Sequence, residues 1–408
     1  RTENPPHPNM LVGGAVGTGK SNLLLDLIYS LAVKYSPEEL ELYLLDFKRG
    51  LEFNRFAADA SGRNWLPHMR ALSLESSEDF GVAVLAHMDR EMERRSELFK
   101  EVGANSIDTY RKLSGHLMPR VLLVVDEFHV LFSGDDDSVD ESVRLLSQIA
   151  KQGRAYGIHI LLSSQTISGI AALATKGEGI FSQFPLRVAL KNTAAESQAI
   201  LSHGNTAASE LAYRGEVIVN RDFGSNIAGA NVRGLAAYVD PLTFAGIQAD
   251  LWQRGHAQSP MVFLSKVAAP WDRTALARHE ARRTQAGTSN HPLEVWVGMP
   301  IAVTQEPATA TVNDDVDQTI AVLGSTDHLA RQAVSSLTIT AVSQIAGGRV
   351  VLLDGSGEAD QPWFRTVAAY AERFDVETLV VPRDDIARFL LETIAPDLDG
   401  PARARHTL

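Results

Sequence analysis

Gly14-Ala15-Val16-Gly17-Thr18-Gly19-Lys20-Ser21 has the spacing G-x-x-x-x-G-K-S of a phosphate-binding P-loop. An apolar run at residues 10–13 precedes it and an apolar helical pattern at residues 23–28 follows it, which is the strand, loop and helix order that the motif requires. Glycine tolerates positive φ, so the backbone can wrap around an anion at the positive end of a helix. The motif predicts that residues 14–22, including Asn22, bind a nucleotide, that Lys20 reaches its β- and γ-phosphates, and that Ser21 binds Mg²⁺.

A second motif begins with the apolar run Val121-Leu122-Leu123-Val124-Val125 and ends with the adjacent carboxylates Asp126 and Glu127. Such a run is typical of a parallel strand that is buried on both faces, and α/β sheets bind ligands at the carboxyl ends of their strands. The pattern predicts a Walker B motif, in which Asp126 holds Mg²⁺ and Glu127 orients the attacking water. An acidic pair that merely faces solvent is the alternative. Together the two motifs predict ATP and Mg²⁺ as cofactors and ATP hydrolysis as the reaction.

The rest of the first 250 residues alternates between strand and helix patterns. Strands are predicted at residues 42–47, 69–74, 158–163 and 187–190, helices at residues 78–100 and 140–156, and a closing hairpin at residues 215–219 and 234–239. This alternation predicts one doubly wound α/β domain. Gln165 follows the strand at 158–163, so its amide is predicted to sense the γ-phosphate or to hold the attacking water.

Composition limits the other possibilities. The chain has 408 residues and no cysteine, which excludes disulfides, zinc-thiolate sites and thiol catalysis. A formal net charge of −12 argues against a large non-specific nucleic-acid surface but allows a local basic pore lining. No apolar run is long enough to span a bilayer. Any membrane attachment is therefore expected through partners or segments outside this chain, and the lack of cysteine fits a cytoplasmic protein. The chain begins at Arg1 and reaches the P-loop strand within ten residues, so we expect a piece of a longer protein.

Several further elements resemble the FtsK/SpoIIIE family of motor ATPases. They are Leu44-Leu45-Asp46-Phe47-Lys48, Leu66-Pro67-His68, Glu91-Met92-Glu93-Arg94-Arg95, Gly153-Arg154-Ala155-Tyr156-Gly157-Ile158-His159 and Pro185-Leu186-Arg187-Val188-Ala189. The resemblance covers most of residues 10–240. It implies a RecA-like P-loop NTPase domain, a hexameric ring of identical subunits and ATP hydrolysis at the subunit interfaces.

The same resemblance implies that Arg154, or else Arg187, reaches a neighbour's site as an arginine finger, which would offset charge on the γ-phosphate. The alternatives are a helix C-terminal arginine for Arg154 and a strand-end ion pair for Arg187. His68, His129 and His159 lack metal-ligand spacing and are predicted to be structural.

The second half of the chain has a weaker pattern. Residues 1–250 form the predicted ATPase domain, residues 251–290 a polar linker with one helix, and residues 291–408 a second α/β domain. Strand patterns at 319–323 and 350–354 and a helix beginning at Asp327 repeat the order of the first domain, without the P-loop lysine or a second Walker B motif. We interpret this half as a degenerate P-loop domain. An unrelated α/β module is the alternative.

Three functions remain open at this point. The first is a ring-shaped translocase of double-stranded DNA, which we rank first because Arg49 departs from the Phe-Lys-Gly-Gly typical of the secretion group. The second is a protein-secretion motor, since a complete domain followed by a degenerate one resembles the type VII secretion ATPases. The third is a monomeric ATP-dependent switch or scaffold, which would need Arg154 and Arg187 to face inward.

Overall fold

The computed structural model divides the chain into two compact units, Arg1–Val267 with Ile301–Val303, and Ala268–Pro300 with Thr304–Leu408. The residues that it describes are 7–48, 53–75, 77–134, 136–168, 170, 178–255, 259–263, 292–304, 306–312, 320, 322, 327–345, 349–355 and 362–395. Within these ranges, no helix combines the length and the apolar character needed to cross a membrane.

The first unit is built on a nine-stranded sheet with the order β8-β7-β6-β1-β5-β4-β2-β3-β9. Its strands are β1 (Met10–Gly13), β2 (Leu40–Asp46), β3 (Met69–Ser73), β4 (Arg120–Asp126), β5 (Ile158–Ser164), β6 (Leu186–Leu190), β7 (Glu216–Asn220), β8 (Asn231–Leu235) and β9 (Met261–Phe263). All neighbours pair in parallel except β6 with β7 and β7 with β8, which are antiparallel. The predicted doubly wound α/β domain with a closing hairpin is confirmed.

Helices cover both faces of this sheet. They are α1 (Lys20–Lys34), α2 (Glu78–Val102), α3 (Ile107–Ser114), α4 (Asp136–Tyr156), α5 (Glu178–Phe181), α6 (Ala194–Ile200) and α7 (Pro241–Arg254). Because side chains alternate across a strand, neighbouring residues supply different cores. In β2, for example, Leu44 packs in the core on the side of α1 and α7, whereas Leu45 packs in the core on the side of α2 and α4.

Six apolar residues of α2 recur roughly at helical spacing and face the interior. They are all buried: Phe80, Val84, Leu85, Met88, Met92 and Phe99. The helix begins after Ser77, whose hydroxyl accepts a hydrogen bond from the amide of Phe80 at 3.3 Å, and it ends at Gly103, whose φ is 70°. This start and this end are both encoded locally, by an N-cap serine and a left-handed glycine.

The first unit extends beyond the predicted boundary at residue 250. Helix α7 continues to Arg254, and β9 adds to the sheet edge by pairing in parallel with β3. Both segments lie partly or wholly in the stretch that was predicted as a linker with one helix, so regular structure of the first unit extends into that stretch. The prediction missed β9 because three residues of strand between polar stretches give too short a periodic signal.

The second unit contains two small sheets. The strands β10 (Leu293–Gly298) and β11 (Ala308–Val312) are antiparallel, and β12 (Arg349–Asp354) and β13 (Glu377–Pro382) are parallel. Its helices are α8 (Asp327–Val342), α9 (Pro362–Ala371) and α10 (Arg383–Phe389), followed by a π-helical turn at Leu390–Ile394. A core around Val342, Val350, Phe364 and Val367 joins strand to helix. Most of the predicted strand at 319–323 lies outside the described residues.

Candidate active site

The carboxyl ends of three neighbouring strands meet at one edge of the sheet. Strand β5 lies between β1, which leads into the P-loop, and β4, which carries the Walker B carboxylates. Gly13 at the end of β1 is in register with Ser164, and Asp126 at the end of β4 is in register with Ser163. At about 4.8 Å between strands, the P-loop and the carboxylates are separated by roughly 10 Å of sheet.

Lys20 bridges this separation. Its ammonium donates hydrogen bonds to Asp126 Oδ1, to Glu127 Oε1 at 3.0 Å and to Ser163 Oγ at 3.2 Å. Burial by itself would lower the pKa of Lys20, but the charges of Asp126 and Glu127 outweigh it and raise that pKa. Only 5% of the lysine side chain is exposed. Lys20 is thus held as a charged donor beside the Walker B carboxylates.

Glu127 is fixed on all sides. Its backbone is left-handed, with φ 53° and ψ 47°, an uncommon conformation for a residue with a side chain and one that is often found at functional sites. Its Oε2 accepts hydrogen bonds from Ser164 Oγ at 3.2 Å and from the Gln165 amide at 3.1 Å, and His129 Nδ1 lies 3.5 Å away. Burial would raise the pKa of Glu127, but Lys20 and these donors outweigh burial and lower it. The side chain is therefore a carboxylate.

An open cleft of about 380 Å³ lies over the P-loop. Of the predicted site residues, it is lined by Ala15, Val16, Gly17, Gly19, Lys20, Ser21, Asn22 and Gln165. Gly14 and Thr18 support the loop from behind: the Gly14 amide donates to Ser164 O at 3.4 Å, and Thr18 Oγ1 donates to Ala15 O at 2.7 Å. Asp126 and Glu127 lie beneath Lys20 and do not line the cleft. A cleft of this size suits a small-molecule ligand.

The two candidate finger arginines differ in position. Arg154 is exposed near the end of α4, just before β5 begins. The seven residues of β5 therefore place it roughly 20 Å from the carboxyl edge of its own sheet. Arg187 is buried, and its guanidinium donates to the carbonyl oxygens of Phe181, Phe184, Ile200 and Leu201. Burial lowers the pKa of Arg187 to about 10. Neither the finger nor the strand-end ion pair that the sequence suggested describes this placement of Arg187.

The predicted structural histidines also differ from one another. His68 Nε2 contacts Tyr35 O at 2.7 Å and His159 Nδ1 contacts Pro8 O at 2.9 Å, and burial lowers the pKa of each ring. His129 instead lies at the site, 3.2 Å from Ser164 Oγ.

The sequence contained a signal for Ser163 and Ser164, since they end a strand beside Walker B, but none for His129. It also did not assign to the site the eight other residues that line the cleft, which are Leu25, Lys48, Arg55, Arg214, Tyr238, Val239, Pro241 and Phe244.

A glycine-rich loop before a helix, with its lysine set against paired carboxylates at the end of a parallel strand, defines a P-loop ATPase. Residues 2–169 match the model of the FtsK/SpoIIIE family. The chain therefore carries an FtsK/SpoIIIE-type ATPase domain, and such a domain implies ATP as ligand and ATP hydrolysis as activity.

Several relatives and solved structures that resemble this chain carry type VII secretion names. The ESX secretion system protein YukB of Bacillus subtilis is 32% identical over 223 residues, which are 53% of this chain and 14% of that protein. The cytoplasmic domain of the type VII secretion ATPase EccC of Thermomonospora curvata has a similar fold, with a TM-score of 0.61 and 24% identity over 94% of this chain and 44% of that one. A structure of ATPases 2 and 3 of the same EccC with a signal sequence peptide has a TM-score of 0.56 and 19% identity, covering 97% of this chain and 66% of that one. The chain thus spans a small part of its curated relative.

Proposed function

We propose that this chain is the ATPase part of a protein-secretion motor of the type VII kind. The observation that carries the proposal is the 32% identity with an ESX secretion protein over 223 residues, which are 53% of this chain. The sequence alone ranked a DNA translocase first, and the relatives reverse that order. Overall acidity also favours a protein substrate, because duplex DNA is bound chiefly through basic groups.

The residues at the sheet edge suit ATP with Mg²⁺. Ser21 offers a hydroxyl and Asp126 a carboxylate, the hard oxygen ligands that Mg²⁺ takes in proteins, and the positive φ of Gly17 and Gly19 shapes a cradle for phosphates. The bound ion would neutralise charge on the phosphates. Lys20 would bind the β- and γ-phosphates, and Glu127 would orient the attacking water and accept its proton.

ATP binding would require Lys20 to exchange partners. Its ammonium is buried against Asp126 and Glu127 and must turn toward the phosphates in the cleft. This exchange frees Glu127 Oε1 to accept from water, while Ser164 and Gln165 continue to orient the carboxylate through Oε2. Binding and activation of the base would thereby be coupled.

We further propose that the active form is a homo-oligomeric ring, in which Arg154 serves a neighbour's site. Arg154 is exposed and lies too far from the carboxyl edge of its own sheet to reach a γ-phosphate there. Its charge could therefore reach the γ-phosphate of a neighbouring subunit. The chain is expected in the cytoplasm, and any attachment to a membrane would be through other segments or partners.

The test compares ATP turnover of the purified chain alone, with mixed-sequence duplex DNA, and with a signal-sequence peptide of a type VII substrate. Stimulation by the peptide supports the proposal, whereas DNA stimulation that fades with salt would favour the translocase. Lys20→Ala should abolish ATP binding, and Glu127→Gln should retain bound ATP but lower turnover at least about a hundredfold. The exposed Lys100, which pairs with Glu97 on the surface of α2, provides the control Lys100→Ala. Unimpaired turnover in Glu127→Gln would show that its assigned role is wrong.

A further inference from the structure

The cleft over the P-loop is more basic than the motif requires. Besides Lys20, it is lined by Lys48, Arg55 and Arg214, and among the residues that the structure describes no carboxylate lines it. The whole chain carries a formal net charge of −12, so a pocket lined by four cations is a local concentration of positive charge. Such a pocket attracts a ligand with several negative charges.

Arg214 is joined to the P-loop by the backbone. The amide of the next residue, Gly215, donates a hydrogen bond to Thr18 O at 3.0 Å, and Gly215 O accepts one from the Ala236 amide at 2.8 Å. A Cβ on Gly19 would lie 3.7 Å from the Cα of Gly215. The arginine therefore emerges from a turn in contact with the loop that presents Lys20.

The turn that carries Arg214 is stabilised by hydrogen bonds to the side chain of Glu216. Glu216 Oε2 accepts hydrogen bonds from the amides of Ala212 at 2.7 Å and Tyr213 at 2.9 Å, and its Oε1 pairs with Arg233 at 2.8 Å. Gly215 has φ +85°, which a residue with a side chain adopts at a cost. A backbone fixed in this way limits the freedom of Arg214 to its own side chain, which lowers the entropy lost on binding a ligand.

The cations of the cleft are engaged to different degrees. Lys20 is paired with two carboxylates, and the guanidinium of Arg55 lies 5.7 Å from the ring centroid of Phe244. Within the described part of the chain, Arg214 is exposed and forms no ion pair. Its guanidinium group thus lies beside the P-loop and is accessible to a ligand. Guanidinium groups bind phosphate oxygens with two parallel hydrogen bonds.

We infer that Arg214 is a phosphate-binding residue for the nucleotide of its own subunit. It supplements Lys20 from the turn beside the P-loop and favours nucleotides with two or three phosphates over those with one. This inference depends on the proposed ATP site, and it adds a contact in cis that is independent of Arg154.

The experiment measures the affinities of Mg²⁺-ATP, ADP and AMP in the Glu127→Gln background, which prevents turnover. Arg214→Ala should weaken ATP binding about tenfold or more, since a charge-assisted hydrogen bond is worth at least about 1.4 kcal/mol, while AMP binding changes less than about twofold. The ATP affinity of Arg214→Lys should lie between those of Arg214→Ala and the unmodified chain, because lysine keeps the charge but cannot form two parallel hydrogen bonds. The matched control is Tyr213→Ser, an exposed neighbour on the same turn that does not line the cleft.

Three outcomes would overturn the inference. Unchanged ATP affinity in Arg214→Ala would show that the residue does not touch phosphate. An equal loss for ATP and AMP would indicate general damage to the cleft. A loss that vanishes on dilution to single chains would show that the contact is made to a neighbour. Failure of the unmodified chain to bind ATP, or unaltered binding in Lys20→Ala, would instead refute the proposed ATP site itself.

Discussion

The buried charge of Arg187 stabilises the fold. Its guanidinium donates to four backbone carbonyls, among them those of Phe181 in α5, Ile200 in α6 and Leu201 just after α6. The carbonyl of Phe181 also accepts a hydrogen bond from the Phe184 amide at 3.1 Å, whereas Ile200 and Leu201 lie at the C-terminal end of α6, where a cation also interacts favourably with the helix dipole. Arg187 thus supplies hydrogen-bond donors to the carbonyl groups of two chain segments that pack beside strand β6.

Replacing Arg187 should therefore cost stability. Arg187→Met retains much of the side chain but leaves buried carbonyls without donors, and we expect the free energy of unfolding to fall by about 3 kcal/mol. Arg144→Met is the control, because Arg144 is 54% exposed and pairs with Glu141 on a helix surface, where the loss should be below about 1 kcal/mol. Denaturant titration measures both. A stable Arg187→Met variant that binds ATP but does not hydrolyse it would favour a finger role.

Helix α4 and strand β5 pack closely because two glycines at their junction have no side chains. Gly153 is buried in the last turns of α4, and a Cβ there would lie 2.8 Å from Ile158 O, a backbone atom at the start of β5. Gly157 has φ +74° and closes the turn by donating to Arg154 O at 3.1 Å. The two glycines of the family-like segment 153–159 therefore set the distance between helix and strand.

Gly153→Ala should reverse the usual helix preference. Alanine normally stabilises a helix interior by about 1 kcal/mol relative to glycine, but a methyl group so close to a backbone carbonyl forces α4 away from β5, for an expected loss of about 1–3 kcal/mol. The control is Gly246→Ala in the middle of α7, where no atom lies within 4 Å of the added Cβ. That change should stabilise the protein slightly. Thermal unfolding measures both variants, and equal shifts of Tm in the two would refute the steric argument.

At the scale of the whole molecule, the site is incomplete without a neighbour if Arg154 acts in trans. Arg154→Ala and Lys20→Ala should each be inactive on their own. Co-expressed in one ring, they should recover part of the turnover, because some interfaces then pair an intact P-loop with an intact arginine. Arg144→Ala, on the same helix, is expected not to need complementation.

Turnover of the mixed rings at the sum of the separate rates would contradict the shared site. The measurement also separates the ring from the monomeric switch that the sequence left open. That alternative required both arginines to face inward, and Arg154 is exposed.

The sequence by itself determined the features that are encoded within a few residues. The P-loop, with its flanking strand and helix, and the Walker B strand depend on local sequence, and the structure has them where they were predicted. The doubly wound class followed from the order of these elements. The relatives, and not the sequence pattern, favour secretion over DNA translocation, because the P-loop and Walker B motifs are consistent with either kind of motor.

Only the tertiary structure decided which distant residues meet. Lys20 contacts Asp126 and Glu127 across more than a hundred residues, Arg187 turns inward to helix ends, and Arg214 comes beside the P-loop through a turn that precedes an antiparallel strand. No periodicity contains this information, since each contact depends on strand order and on the turns between strands. Charge and burial then distinguish the two arginines. The buried guanidinium of Arg187 stabilises the fold, and the exposed guanidinium of Arg214 is accessible to a ligand.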